Sequence, residues 1–406
     1  MDADVVIVGG GLSGPLTALA LAQAGLRCVV VDAADPPARG RDFDGRAYAL
    51  ALSSVRMLQA LDLWDRVADP CPITGIKASD GRVGEGASPL HLSFRAEAID
   101  APFMGQMVED RHLRRALLDA CDAADRIEMR FGQTVLDQDL SGAATVTLAG
   151  GDTLVGRLLV GCDGRGSDVA ARAGLRVVRK DYGQTALTCA VKHDRPHGGI
   201  AHQLFLPAGP LAILPLTGDR SSLVWTEDAE TAAAVQALDD AAYLDVLRPR
   251  FGSFLGDIAL TGGRGTYPLS LNLAADLTAE RVALVGDAGH GIHPIAGQGL
   301  NLGFKDAAAL AQVLRDARRR GQDIGRADVL AGYARWRRFD AAQMGAATDA
   351  VNRLFSNDDP VLRLARRLGM GAVDAMPGLK RRFVREAAGL TGDLPDLMQG
   401  RRLTIN

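Results

Sequence analysis

Two spacings of hydrophobic residues divide this chain into regions. Residues 4–8 and 28–31 are short β-branched runs typical of buried strands, and leucines and alanines at helical spacing lie between them. Residues 127–160 and 181–271 instead contain short alternating runs separated by turn signals, which favours antiparallel strands. A helical spacing begins at Leu300, and we expect helices from there to the end of the chain.

This order of elements predicts an α/β fold with a Rossmann-like nucleotide-binding domain, an inserted antiparallel β-sheet domain and a helical C-terminal region. We place the first domain at residues 1–175 and 275–345, and the helical region at 346–406. The sheet domain is expected at 176–274, with a small contribution from about residues 72–105. Such an insertion often forms the wall of a substrate pocket.

The first predicted strand runs directly into Gly9 to Gly14, which read GGGLSG and place glycines in the G-x-G-x-x-G pattern. In this pattern Gly9 permits a tight turn, Gly11 lets a pyrophosphate approach and Gly14 lets the helix pack on the strand. The second strand ends in Asp32, where a carboxylate can accept hydrogen bonds from an adenosine ribose. Glycines alone would also fit a plain α/β turn, but the whole series predicts a dinucleotide site.

A second glycine-rich stretch, residues 281–306, reads RVALVGDAGHGIHPIAGQGLNLGFKD. Its first residues predict a buried strand that Gly286 and Asp287 end, and Leu300 opens a helix. Because a helix N-terminus carries partial positive charge, this end suits an anion or a ring that becomes one, such as a reduced flavin. Four glycines are expected to let the backbone approach that flat group: Gly289, Gly291, Gly297 and Gly299.

Acidic residues follow three of the predicted strands. They are Asp32, Asp163 and Asp287. Each alone could belong to a simple turn. Together they predict one bound molecule that is held along its length.

Composition narrows the class of protein. Forty-six basic and 49 acidic residues give a net charge of −3 among 406 residues, which provides no general attraction to nucleic acid. The five cysteines are far apart and contain no C-x-x-C pair, so a reduced, cytoplasmic setting is expected and no metal site is predicted. The acidic start lacks the basic region of a signal peptide, and no apolar run reaches the roughly 20 residues of a membrane span.

Basic residues are concentrated between residues 318 and 382, in the clusters Arg318 to Arg320, Arg337-Arg338, Arg366-Arg367 and Lys380 to Arg382. We interpret most of them as a solvated face on surface helices. The alternative is a peripheral contact with a membrane surface or with a protein partner.

Taken together, these motifs resemble the FAD-dependent aromatic hydroxylases typified by para-hydroxybenzoate hydroxylase. Those proteins carry an N-terminal G-x-G-x-x-G, a central Asp-Gly and a late Gly-Asp, here Gly9 to Gly14, Asp163-Gly164 and Gly286-Asp287. Within that group the chain is most similar to the ubiquinone-biosynthesis hydroxylases. The narrower likeness lies in His293 to Gly303, Val108 to Arg111, Pro377 to Arg381, Gly389-Leu390 and Asp393 to Pro395.

The resemblance implies roles for individual residues in binding FAD. Arg46, Gln106 and Arg111 would contact the phosphates, the ribityl chain or the adenosine side, although a lone arginine such as Arg46 is otherwise most simply a solvated loop charge. Asp287 would hold the ribityl and pyrophosphate region, and Gly297 to Asn301 would lie beside the isoalloxazine. The predicted cofactor-binding residues are Gly9, Gly11, Leu12, Ser13, Gly14, Asp32, Arg46, Gln106, Arg111, Asp163, Gly286, Asp287, Gly297, Gly299, Leu300 and Asn301.

The same resemblance implies hydroxylation of an aromatic ring, expected to be a polyprenylated phenol or quinone precursor, through a flavin C4a-hydroperoxide formed with O2. Pro294 would lie near the reacting face of the flavin, and His293 or His290 could assist proton transfer; either histidine could instead only fix the backbone. The chain contains one nucleotide-binding unit, so NAD(P)H would dock transiently or a redox partner would deliver the electrons.

Three alternatives share parts of this pattern. A flavin-dependent halogenase is disfavoured because the three tryptophans are isolated and form no W-x-W signature. An FAD-dependent prenyl-chain reductase would use the same fold. A non-catalytic flavin-binding scaffold in a lipid-biosynthesis complex is the alternative from another class.

Overall fold

The computed structural model describes residues 1–38, 40, 42–292, 297–355 and 359–404. The strands are β1 (Val5–Val8), β2 (Cys28–Val31), β3 (Ala47–Ala51), β4 (Cys71–Ile73), β5 (Gly75–Arg82), β6 (Gly86–Arg95), β7 (Gly105–Glu109), β8 (Ile127–Arg130), β9 (Val135–Asp139), β10 (Ala144–Leu148), β11 (Thr153–Gly156), β12 (Leu158–Gly161), β13 (Val177–His193), β14 (Ile200–Leu206), β15 (Gly209–Leu216), β16 (Arg220–Asp228), β17 (Ile258–Ala274), β18 (Thr278–Ala279), β19 (Val282–Leu284) and β20 (His290–Gly291). The helices are α1 (Ser13–Gln23), α2 (Leu52–Ala60), α3 (Asp110–Asp122), α4 (Asp168–Arg172), α5 (Ala229–Gln236), α6 (Asp240–Phe251), α7 (Gly299–Arg319), α8 (Ala327–Phe355), α9 (Pro360–Asp374) and α10 (Pro377–Ala387).

A six-stranded sheet in the order β18-β19-β12-β1-β2-β8 forms the nucleotide-binding part. Apart from β18, its neighbouring strands are parallel, and β1 is in register with both β12 and β2. The central strands are almost wholly buried, as expected of a parallel sheet that is covered on both faces. Helices α1 and α7 belong to the core on one side, so their N-termini lie at the carboxyl edge of the sheet.

An eight-stranded, mostly antiparallel sheet forms the second layer, in the order β20-β17-β13-β16-β15-β14-β5-β6. Strands β13 and β17 are 17 residues long and pair along their length, whereas the sequence predicted only short strands here. Register shifts between Asp181 and Gln184 and between Thr188 and Ala190 let the two strands twist while they stay paired. The prediction of short strands was therefore wrong for this pair, because the two strands continue through both register shifts.

The C-terminal region is helical only as far as Ala387. Gly389 and Gly392 then adopt φ of +69° and +74°, conformations that end a helix, and Leu397 and Leu403 are buried in the core of the nucleotide-binding part. The expectation of helix to the end of the chain was wrong beyond residue 387. Among the described residues, no helix is both long and apolar enough to cross a membrane.

The predicted fold class is confirmed: the chain is an α/β protein with a Rossmann-like sheet, an antiparallel sheet and C-terminal helices. Strands β5 and β6, from residues 75–95, extend the antiparallel sheet through a parallel pairing of β5 with β14. The exact domain boundaries stay a prediction.

Candidate active site

Each glycine of the first motif has a different environment. Gly9 has φ of +111°, and a Cβ there would lie 2.3 Å from the carbonyl oxygen of Cys162. A Cβ on Gly14 would lie 1.8 Å from the oxygen of Gly9, so this glycine is required for the helix to pack against the turn. A Cβ on Gly11 would meet no atom of the described part of the chain within 4 Å. The backbone is thus tightly packed on both sides of one open position, which is where a pyrophosphate is expected.

The N-terminus of α1 faces the same open space. Its N-cap residue, Leu12, makes no side-chain capping hydrogen bond, and the first turn contains no acidic residue. Uncapped N–H groups at a helix start favour an anionic ligand. This end of the helix therefore fits a phosphate group.

The three acids follow parallel strands of one sheet, β2, β12 and β19, but their side chains make different contacts. Asp32 accepts hydrogen bonds from the N–H groups of Gly10 and Ala34, so it is fixed beside the glycine turn. In Asp163 one oxygen accepts from Ser167 Oγ at 2.6 Å and the other from the N–H of Val169 at 3.1 Å. Asp163 therefore stabilises the start of α4, and its predicted contact with a cofactor stays a prediction.

Asp287 lies at the far end of the same sheet edge and is held by Arg165. The Nε of Arg165 lies 3.1 Å from Asp287 Oδ2, and its NH2 group donates to the carbonyl oxygen of Ile292 at 3.1 Å. The same guanidinium packs against Gly291, where a Cβ would lie 3.0 Å from Arg165 Cγ. Arg165, which sequence reasoning did not single out, thus connects the loop after β12 with the loop after β19.

The glycines of the second stretch fall into two groups. A Cβ on Gly289 would lie 2.7 Å from Leu277 Cδ2, so Gly289 and Gly291 accommodate protein side chains rather than a ligand. Their predicted role beside a flat ligand was wrong. Gly297, with φ of +63°, and Gly299, around which a Cβ would meet no described residue within 4 Å, remain next to the start of α7.

The N-termini of α1 and α7 converge although almost 290 residues separate them. A Cβ on Gly286, whose φ is +65°, would lie 2.9 Å from Ser13 Oγ, and a Cβ on Gly303 would lie 3.2 Å from the Cα of Gly286. Small residues on both helices and on the turn between them therefore permit this close contact. Two positive helix ends are brought to one groove.

Asn301 fixes the start of α7 against β3 and α2. Its Oδ1 accepts hydrogen bonds from the N–H of Ala51 at 2.8 Å and from Ser54 Oγ at 2.7 Å. Its Nδ2 donates to the carbonyl oxygens of Ala49 at 2.9 Å and Gly297 at 3.2 Å. The side-chain amide is fully used, so Asn301 positions the helix end; Leu300 beside it is half-buried.

Strands β3 and β7 bring Arg46, Gln106 and Arg111 to one side of this groove. Arg46 precedes β3, and its guanidinium lies 3.3 Å from the carboxylate of Asp110, the residue that follows β7. Arg111 Nε donates to Glu109 Oε2 at 2.7 Å. Gln106 lies within β7, is only 7% exposed, and its Oε1 is buried with no hydrogen-bond partner among the described residues. A buried amide oxygen left unpaired in this way indicates a missing ligand or water.

A buried charge network beneath the second stretch escaped sequence reasoning. Asp306 is fully buried in α7; its Oδ2 accepts from the N–H of Gly286 at 2.9 Å and from His290 Nε2 at 2.6 Å, and its Oδ1 accepts from Arg337 Nε at 2.7 Å. Burial lowers the pKa of His290, which favours the neutral ring that donates to Asp306. This favours backbone fixing over proton transfer for His290. An acid inside the apolar stripe of a helix was the signal that could have revealed the network.

The interpretation of the basic clusters as a solvated face fails at two positions. Arg337 is buried against Asp306 and Asp340, and Arg366 is buried against Asp80. Periodicity alone did not reveal them because both lie within runs of other basic residues. The predicted catalytic residues His293 and Pro294 lie outside the described residues.

The arrangement fits an extended dinucleotide with a ring system at one end. The open position at Gly11 and the uncapped start of α1 suit the pyrophosphate, and Asp32 suits the adenosine ribose. The start of α7 with the unpaired Gln106 oxygen nearby suits the flavin end. The fold and the site therefore define an FAD-binding flavoprotein.

Comparison with known proteins agrees with this class. The family model described as "FAD binding domain" matches residues 2–346, and the chain belongs to that family, among its FAD-dependent monooxygenases. The chain is 45% identical over 405 residues to ubiquinone hydroxylase UbiL of Rhodospirillum rubrum, covering 98% of this chain and 93% of the relative. The resemblance stated from the motifs is confirmed.

Two further matches extend along almost the whole chain. The 3-demethoxyubiquinol 3-hydroxylase of Escherichia coli is 33% identical over 392 residues, which cover 95% of this chain and 98% of that protein. The crystal structure of p-nitrophenol 4-monooxygenase PnpA from Pseudomonas putida superimposes with a TM-score of 0.78 at 21% identity, covering 96% of this chain and 98% of that one. The second match shows the shared fold.

Proposed function

We propose that the protein hydroxylates the aromatic ring of a polyprenylated phenol or quinone precursor in ubiquinone biosynthesis. It uses FAD as its cofactor and O2 as co-substrate, with NAD(P)H or a redox partner as electron donor. The observation that carries this proposal is the 45% identity to a ubiquinone hydroxylase over 98% of the chain, together with the open position at Gly11 beside the start of α1.

Bound FAD supplies the redox chemistry that activates O2 for insertion of one oxygen atom into the ring. The chain's own residues bind and orient FAD. The start of α1 binds the pyrophosphate and Asp32 binds the ribose. The unpaired Oε1 of Gln106 accepts a hydrogen bond from a donor group of the cofactor. The start of α7, fixed by Asn301, stabilises negative charge at the ring end. Asp287, whose carboxylate is held by Arg165, is proposed to contact the cofactor from the same side.

The antiparallel sheet supplies an apolar wall for the substrate. Residues Leu187, Leu211 and Trp225 belong to the cluster that packs against α5 and α6. The alternation of strand faces therefore turns their neighbours to the opposite face. Half-buried residues form a row in register across four strands on that face: Thr188, Val224, Ala212 and Gln203.

This row is proposed to face the ring and its prenyl chain. In this row Ala212 and Val224 leave space for a bulky substrate and provide an apolar surface that keeps water away from the reacting atoms. Because a polyprenylated ring resides in a lipid phase, the proposal includes peripheral contact of a cytoplasmic protein with a membrane, or with partners of the same pathway, through the basic C-terminal region. From the family resemblance, Pro294 is proposed near the reacting face of the flavin and His293 is proposed to assist proton transfer.

A deletion strain that lacks paralogues tests the proposal. Mass spectrometry of its quinone precursors is expected to show a prenylated ring with one hydroxyl group too few, restored by the wild-type gene but not by a Gly11→Val gene. Normal ubiquinone in the deletion strain would refute the pathway assignment. Substrate-dependent O2 uptake by the purified holoprotein separates a hydroxylase from a prenyl-chain reductase and from a non-catalytic scaffold, neither of which consumes O2 with substrate.

A further inference from the structure

Among the described side chains of helix α9, Arg363 and Arg366 face the protein, whereas Leu368 faces the solvent. Arg363 and Arg366 contact the buried carboxylate of Asp80 on β5, at 3.2 Å and 3.0 Å. Met370 on the same side is buried, and Asp374 accepts a hydrogen bond from the N–H of Ser93 on β6 at 2.9 Å. The inner face of α9 therefore joins the end of the antiparallel sheet through charges.

The outer face carries apolar residues. Leu368 is 57% exposed, and Ala372 and Ala375 are exposed at the i+4 and i+7 positions from it. At 100° per residue these three lie roughly 180° around the helix from the inner-face residues. Met376, in the turn to α10, extends the face and is 53% exposed. We name Leu368, Ala372, Ala375 and Met376 the outer strip.

Stability does not account for this orientation. The side chain of Arg366 is only 2% exposed, and an ion pair this deeply buried is often no more stabilising than apolar residues of similar size. An ordinary surface helix would bury a leucine such as Leu368 and expose arginines such as Arg363 and Arg366. Contiguous exposed apolar residues of this kind mark an interaction site.

Charge around the outer strip indicates what covers it. Of the basic residues in 360–387, Arg363 and Arg366 pair with Asp80 on the inner face, Lys380 with Asp374 and Arg381 with Asp100, so the charge toward solvent comes chiefly from α10. Arg381, Arg382 and Arg385 on α10 are exposed, next to Phe383, which is 46% exposed. An apolar strip bordered by cations is the pattern that inserts into an anionic lipid surface.

We propose that the outer strip and the exposed arginines of α10 form a docking surface for an anionic lipid bilayer. The apolar side chains enter the acyl boundary, and the guanidinium groups contact lipid phosphates. Because α9 packs on β5 and β6, docking brings the outer end of the proposed substrate sheet close to the bilayer. The inference rests on the proposed function, which includes a peripheral contact through the basic C-terminal region, and deepens it by naming the surface and its occupant.

Vesicle co-sedimentation of the full-length, FAD-loaded protein tests this surface without any substrate. The probes are phosphatidylcholine vesicles with and without phosphatidylglycerol. We expect binding to the mixed vesicles that weakens as salt is added, because the arginines contribute electrostatically. Absence of wild-type binding to the mixed vesicles would overturn the proposal.

Variants of exposed residues locate the surface. Leu368→Ser combined with Met376→Ser is expected to weaken binding roughly tenfold, since two apolar side chains no longer enter the bilayer. Arg382→Gln combined with Arg385→Gln is expected to weaken binding to the mixed vesicles and to lessen its dependence on salt. Leu136→Ser is the matched control, because Leu136 is 56% exposed but lies on β9, away from α9. Equal loss in the control and the strip variant would overturn the assignment.

Light scattering distinguishes a competing occupant. If the wild type is a dimer that the strip variant converts to a monomer, a second copy covers the outer strip and the proposal fails. Turnover of a water-soluble short-chain ring analogue is expected to be unchanged in the strip variant. Normal turnover without vesicle binding in the wild type would reject the docking surface alone, whereas vesicle binding without turnover would reject only the hydroxylase function.

Discussion

His290 Nε2 and Asp306 Oδ2 lie 2.6 Å apart in an interior where neither side chain is more than 1% exposed. Asp306 also accepts from the backbone N–H of Gly286, so one carboxylate joins the loop after β19, strand β20 and helix α7. Arg337 on α8 balances its charge at 2.7 Å. The proposed flavin end of the groove thus rests on a single buried anion.

Asp306→Asn is expected to destabilise the protein by roughly 3 kcal/mol. The substitution removes the negative charge that balances the buried Arg337. It also replaces one accepting carboxylate oxygen by an NH2 group that cannot accept a hydrogen bond. Urea unfolding followed by circular dichroism measures this change. Asp316→Asn on the same helix is the control: its pair with Arg315 is partly exposed, and the expected change is about 0.5 kcal/mol or less. Equal changes in the free energy of unfolding for the two substitutions would show that the buried network contributes no more to stability than a partly exposed ion pair.

Gly11→Val is expected to give a folded but colourless protein. The Cβ of the new side chain meets no atom of the residues that the structure describes within 4 Å, but the side chain occupies the space assigned to the pyrophosphate. Gly14→Val is expected instead to prevent folding, because its Cβ would lie 1.8 Å from the oxygen of Gly9. Flavin absorbance per mole of protein, with circular dichroism for folding, separates the two; FAD retained by folded Gly11→Val would contradict the site.

Gln106→Leu is expected to weaken FAD binding by roughly tenfold, since one hydrogen bond to the cofactor is lost, while the free energy of unfolding of the apoprotein changes little. Gln138→Leu is a matched control, because Gln138 on β9 also has a buried Oε1 without a partner among the described residues. Fluorescence titration of apoprotein with FAD measures both. A similar loss of affinity in both variants would remove Gln106 from the site.

Acid is expected to weaken the antiparallel sheet through His202. Burial, with smaller contributions from Lys77 and His91, lowers the pKa of His202 to about 4. The unfolded ring titrates near about 6.5, so between those values the unfolded state binds a proton that the folded state does not. The free energy of unfolding should fall as pH drops through this window, by on the order of 2 kcal/mol from this group.

His202→Phe keeps an aromatic ring 4.5 Å from Phe254 and removes the titrating group. Its unfolding free energy should therefore depend less on pH than that of the wild type between about pH 6.5 and pH 4. Urea denaturation at several pH values provides the comparison. An unchanged pH dependence in the variant would place the acid sensitivity elsewhere.

Local sequence was sufficient to predict those parts of the fold that depend on the backbone conformation of a few consecutive residues. The G-x-G-x-x-G turn, the strand before it and Asp32 after the second strand were all predicted, because turn glycines and apolar periodicity act over a few residues. The start of α7 was predicted for the same reason. The motifs also identified the class of cofactor.

Contacts between distant segments could not be predicted in this way. The sequence pattern around Gly289 predicted a close approach to a ligand, but the space that a Cβ on Gly289 would occupy is taken by the side chain of Leu277. Asp163 follows a strand as Asp32 does, yet its oxygens cap α4. In each case the use of the residue depends on a partner that the local pattern does not specify.

The sequence by itself determined the order of elements, the dinucleotide turn and the family, since these depend on local backbone preferences and short motifs. Only the tertiary structure decided that Arg337 and Arg366 are buried and that Leu368 is exposed. The physical reason is that the burial of a charge depends on whether another segment supplies an opposite charge, here Asp306 and Asp80. Helical periodicity shows which residues share a face, but packing decides which face is turned inward.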